Sequence, residues 1–102
     1  MKIEIEISDK ADAYGLRGDP VRALGCLCRG GLSWSPCGGP TEAAHVRSRG
    51  AGGTRRDLVP LCQRHHSEQH RIGIKTFAER HSLDLTAEAQ RIAVELDRQG
   101  YP

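Results

Sequence analysis

With 102 residues the chain has room for one domain, and with 37% hydrophobic and 4% aromatic residues that domain cannot bury a large apolar core. Four cysteines and five histidines point to metal as the extra staple, because Cys62 lies beside a histidine cluster that a disulfide framework has no use for. The net charge of +2 is uneven, residues 45–75 holding seven Arg or Lys against two acids, which suits a phosphate backbone; no run approaches the roughly eighteen apolar residues of a membrane span.

Residues 2–7, Lys-Ile-Glu-Ile-Glu-Ile, alternate charged and β-branched side chains and predict a strand with one buried face. The charge at that end is unlike a signal peptide and assigns the chain to a reducing cytoplasm. Asp19-Pro20-Val21-Arg22-Ala23-Leu24-Gly25 supplies an N-cap, a proline for the first helical position and a terminal glycine, and predicts one short helix. Residues 25–40 hold five glycines and two prolines around Cys26, Cys28 and Cys37, so a loop ordered by ligation is expected there. Trp34 within it is expected to anchor the loop in the core rather than stack on a base.

Residues 43–47 and 57–61 predict two antiparallel strands joined by an arginine-rich loop containing Gly50, Gly52 and Gly53. Gln63–Ile72 favours a helix stopped by Gly73, and residues 74–81 a second short helical piece. Thr86 is the expected cap of a last helix. Leu85, Ala89, Ile92, Ala93 and Leu96 recur at helical spacing there and should pack on the hairpin or on the preceding histidine helix. His81 belongs to no motif and is expected to be structural or exposed.

The chemistry concentrates in Cys62-Gln63-Arg64-His65-His66-Ser67-Glu68-Gln69-His70, where a C-x-x-H pair runs into an H-x-x-x-H pair. Residues four apart share a helix face, so His66 and His70 can converge on one cation while His65 points elsewhere. Cys62 and His65 have zinc-knuckle spacing, and a tetrahedral zinc would take two more ligands from Cys26, Cys28 and Cys37. An all-thiolate site using Cys26, Cys28, Cys37 and Cys62 is the alternative, though a C-x-C pair on one ion is less usual than wider spacing.

Over about residues 26–72 these motifs resemble the HNH, or ββα-metal, nuclease family. Glu42-Ala43-Ala44-His45-Val46-Arg47 is similar to its first strand and Leu58-Val59-Pro60-Leu61-Cys62 to its second, and Asp57, His66 and His70 reproduce the family's intervals. Ala44 stands where many members carry Asp or His as a further metal ligand, and Asp57 replaces the usual asparagine. The resemblance implies an α+β fold: a zinc-stapled ββα-metal domain spanning residues 1–102, with its core at 26–72, an N-terminal strand and helix within 1–25, and C-terminal helices packed over 74–99. It implies a structural Zn²⁺ on Cys26, Cys37, Cys62 and His65, with Cys28 as a substitute.

It further implies hydrolysis of DNA phosphodiester bonds, with RNA left open as a substrate, by a chain similar in size to phage and prophage members. His45 would act as general base and Asp57 would hold the hairpin loop. His66 and His70 would bind Mg²⁺ or another divalent cation, and Arg47, Arg49, Arg55 and Arg56 would grip flanking phosphates without reading bases. Two other readings compete. One is an inactive zinc-dependent nucleic-acid-binding module; the other is a structural domain whose residues 2–7 add an edge strand to a partner.

Overall fold

The computed structural model describes residues 14–47 and 53–102, so the strand expected at residues 2–7, the loop glycines Gly50 and Gly52, and Arg49 lie outside the described residues. The elements in order are α1 Gly18–Arg22, β1 Thr41–His45, β2 Leu58–Cys62, α2 Gln63–Ile72, α3 Ile74–Arg80 and α4 Leu85–Arg98, an α+β arrangement. No helix among the described residues is long and apolar enough to cross a membrane.

The two strands pair antiparallel in the register Thr41↔Cys62, Glu42↔Leu61, Ala43↔Pro60, Ala44↔Val59 and His45↔Leu58. The hairpin is thus shifted a residue or two from its expected bounds. The Pro40 carbonyl still accepts from Gln63 N at 2.8 Å, which pulls pairing toward the helix, and Val46 N donates to the Asp57 carbonyl at 2.8 Å beyond the other end. Every residue of β2 is buried, as an unbroken apolar run requires when both faces of a strand are covered. Pro60 fits because its missing N–H costs nothing on an edge, and its carbonyl accepts from Leu27 N at 3.0 Å.

Helix α2 begins on Cys62, whose sulfur accepts from His65 N, and ends at Gly73, where φ of 94° excludes an ordinary side chain. Across α3 the fully buried Phe77 carries the packing. In α4 the stripe Leu85, Ala89, Ile92, Ala93 and Leu96 is buried and packs on the hairpin through β2. The cap is not Thr86 but Asp84, whose carboxylate accepts from Ala87 N at 3.0 Å; Asp84 is the residue three before a free amide, the separation that a capping side chain spans.

Asp19 is likewise not the N-cap of α1. Arg17 occupies that position without a side-chain cap, and Asp19 sits inside the first turn bonded to Arg22. The Arg17 side chain goes elsewhere. Buried to 3% exposure, it donates to the Pro102, Ala93 and Tyr101 carbonyls at 2.9, 3.2 and 2.8 Å and pairs with Asp97 at 2.5 Å, satisfying carbonyls within and just beyond α4 and its own charge together. Trp34 also departs from expectation. It is 63% exposed with the Arg80 guanidinium 5.9 Å from its ring centre, and the aromatic packing beneath its loop is made instead by His65, Phe77 and His81.

Candidate active site and metal centre

Consecutive residues on a helix point about 100° apart, so α2 sends His65 and His66 into different surroundings. His65 is fully buried, and its Nδ1 lies 3.6 Å from Cys26 Sγ, 3.7 Å from Cys37 Sγ and 3.1 Å from Cys62 Sγ. The four ligand atoms lie within 4.8 Å of one another. Around a tetrahedral zinc, S···N separations of roughly 3.5 Å follow from the usual bond lengths, so this group could hold a metal such as zinc.

The surroundings of the ring settle which nitrogen faces the sulfurs. His65 Nε2 donates to the buried Ser35 carbonyl at 2.9 Å, leaving the lone pair on Nδ1. Backbone amides then point at sulfur: Cys28 N toward Cys26, and Gly38 N and His65 N toward Cys62, each at 3.4 Å. Without a cation the thiols cannot all ionise. A hydrogen bond from Cys28 lowers Cys26 to about 4, whereas Cys28 is pushed far up by that same bond, by burial and by like charge. Loss of water and hydrogen bonding to Cys26 push Cys37 up to about 12. A divalent ion would remove this conflict.

Cys28, expected only as a substitute, forms a second close group with His65 and His81. His81 is structural: its Nε2 donates to Glu68 Oε1 at 2.9 Å while Arg80 donates to Glu68 Oε2 at 2.7 Å. Burial works to raise Glu68, but those two partners prevail and hold it below its usual range.

On the other face of α2, His66 and His70 open into a cleft of about 420 Å³ lined also by Tyr14, His45, Arg47 and Gln69. Their Nε2 atoms are 3.2 Å apart, which lies between the roughly 3.0 Å and 3.4 Å edges of octahedral and tetrahedral coordination at ordinary metal–nitrogen distances. The donor set therefore fits one divalent cation with open positions. His45, the last residue of β1, is held at its carbonyl by Gln69 Nε2 at 3.3 Å, and its ring packs on Tyr14 with centroids 4.8 Å apart.

Asp57 tightens the loop end of the hairpin. Its Oδ2 accepts from Thr54 N at 2.9 Å, and its own N donates to the Thr54 carbonyl at 2.9 Å. An aspartate can do this where the family's asparagine would, since only acceptance is required. Arg47 is exposed at the cleft and Arg55 is half-buried. Arg56 instead grips Asp97 of α4 with two bonds of 2.6 and 2.8 Å.

Sequence reasoning misses several partners of the site residues: Glu42 Oε1 on His66 Nδ1 at 2.8 Å, Ser35 on His65, Gln69 on His45 and Tyr14 against His45. Only Glu42 leaves a trace in the sequence, as an acid on the strand whose register brings it next to the start of α2.

A family model described as "Putative HNHc nuclease" matches residues 37–97, which is 61 of the 102 residues. No curated relative and no solved structure matches the chain. The matched segment begins at Cys37, takes in the hairpin, the histidine helix and α3, and ends within α4, so the chain belongs to the HNH nuclease family.

Proposed function

We propose that the protein is a metal-dependent endonuclease that hydrolyses DNA phosphodiester bonds in the cleft between β1 and α2. The observation that carries this reading is the pair of imidazole Nε2 atoms 3.2 Å apart in the same cleft as His45. His45 is positioned by Gln69 and Tyr14 and takes the proton of the attacking water, a task an imidazole can perform near neutral pH. His66 and His70 hold Mg²⁺ or another divalent ion. When bound there, that ion supplies charge stabilisation at the scissile phosphate and its leaving oxygen.

Asp57 ties the turn from Thr54 into β2, and its carbonyl accepts from Val46 N next to His45, which supports the position of His45 at the strand end. Arg47, Arg49 and Arg55 contact flanking phosphates, which fixes the duplex without reading sequence. Arg56 belongs to that set only if a phosphate displaces Asp97. Cys26, Cys37, Cys62 and His65 bind a structural zinc that orders the loop before β1.

A plasmid nicking assay with added Mg²⁺ or Mn²⁺ tests the proposal. Nicking that requires the divalent ion and stops in His45→Ala is the expected result. A parent that binds DNA with salt-sensitive affinity but never cuts would instead mark a binding module, and one that neither binds nor cuts would mark a structural domain.

A further inference from the structure

Ala44 leaves the cleft without the strand-borne ligand that many HNH members have, so among the described residues two imidazoles, His66 and His70, are left to hold the cation. Glu42 precedes Ala44 by two residues in a regular strand and so projects from the same face. Its carboxylate reaches His66, with Oε1 2.8 Å from Nδ1. We propose that Glu42 is a positioning residue for the cation site, fixing His66 in the tautomer that turns an Nε2 lone pair toward His70. The inference rests on reading His66 and His70 as the cation's ligands.

A neutral imidazole carries one ring proton, and an ionised carboxylate can only accept. The hydrogen bond therefore puts that proton on Nδ1 and leaves Nε2 bare. Nε2 is the atom that lies 3.2 Å from His70 Nε2, so one ring faces its carboxylate on one side and the cation position on the other. Glu42 is consequently not a ligand itself. It orients the ring and raises the basicity of the ligating nitrogen, as carboxylates do for metal-bound histidines generally, and so makes up for the ligand absent at Ala44. His65 obeys the same rule with the opposite nitrogen, the Ser35 carbonyl holding Nε2–H so that Nδ1 faces the sulfurs.

The test uses the full chain with its structural zinc retained, comparing the parent with Glu42→Ala and Glu42→Gln. Ring ¹⁵N shifts report the His66 tautomer before Mn²⁺ is added, and titration with Mn²⁺ reports affinity. The parent should hold Nδ1–H. Glu42→Ala should move the proton toward Nε2 and weaken Mn²⁺ binding by about 10–100-fold. Glu42→Gln, whose amide oxygen still accepts, should keep the Nδ1–H tautomer and retain most of the affinity.

An unchanged tautomer and affinity in Glu42→Ala would overturn the proposal while leaving nuclease activity to stand or fall on its own assay. A parent that binds no Mn²⁺ would overturn it as well. If the tautomer and affinity respond as expected but the parent cuts no DNA, the positioning role survives and the nuclease reading fails.

Discussion

His65 and His66 are neighbours in α2, yet one is sealed among three sulfurs and the other faces a cleft shared with His45, Arg47 and His70. The group around His65 offers four ligands, three of them buried and Cys37 exposed, and accepts backbone N–H bonds at sulfur. The cleft offers two imidazoles and a carboxylate behind one of them, with room for water and phosphate. Four-ligand sites generally hold folds and sites with open positions perform chemistry, so on the proposed reading a single turn of helix divides the two tasks.

The largest effect that could break this division is expected at Cys62. Its sulfur faces His65 Nδ1 and caps α2, while its backbone pairs with Thr41. The purified chain should contain about one zinc, and Cys62→Ala should lose that zinc and its cooperative melting together. A structural zinc contributes an apparent binding energy of about 10–16 kcal/mol, no less than the roughly 5–15 kcal/mol by which most domains are stable. A Cys62→Ala chain that melts like the parent would show that the sealed group does not hold the fold.

Next in size is His45→Ala, which should keep its zinc and its melting temperature but cut DNA about 10²–10⁴-fold more slowly, the range that a positioned general base supplies. Rate and metal content measured on the same preparation check this. Equal cleavage by the variant would move the chemistry away from β1.

Much of this division is legible in the sequence because it is local. His65, His66 and His70 lie within two helical turns, so their faces follow from spacing, and the buried stripe of α4 follows from the same period. The strands have ends shifted from their expected bounds because pairing, not propensity, decides where a short ladder stops. Meetings between distant segments are hidden. Glu42 meets His66 across 24 residues and Arg17 meets Tyr101 across 84, and nothing in either local pattern records the meeting. Asp19 and Thr86 mislead for a related reason, since several polar residues near a helix start can cap it and only the geometry of the free amides selects one. Trp34 is free to lie outside the core because imidazoles supply the aromatic packing that so few Phe, Tyr and Trp residues would otherwise demand of it.

A smaller effect should sharpen the account of the cleft's basic surroundings. Replacing Arg55 and Arg56 together by alanine should weaken DNA binding almost equally for unrelated sequences and make the salt dependence shallower, by about one in slope for each phosphate the pair neutralises. Binding isotherms at several salt concentrations measure this. Weaker binding to one sequence with normal binding to another would mean that these arginines read bases.

The smallest expected effect lies at Asp97, which ties the C-terminal end of α4 to the hairpin loop through Arg56 and to the start of α1 through Arg17. Hydrogen bonds from Arg56 and then Arg17 hold the Asp97 carboxyl far below its ordinary range. A depressed folded-state value means that the stabilisation is present above the unfolded value of about 3.9 and is lost as pH falls through the folded one. Asp97→Asn should therefore melt below the parent between pH 6 and 8, by a few degrees at most since the carboxylate is partly exposed, and the gap should narrow only below about pH 4. Added salt should narrow it at neutral pH as well. Differences between the two chains, each assayed for bound zinc, cancel the acid sensitivity that the thiolates contribute to both. A gap that is constant from pH 3 to 8 would mean that Asp97 acts through shape rather than charge, and the tie between the loop and α4 would then owe nothing to its ion pairs.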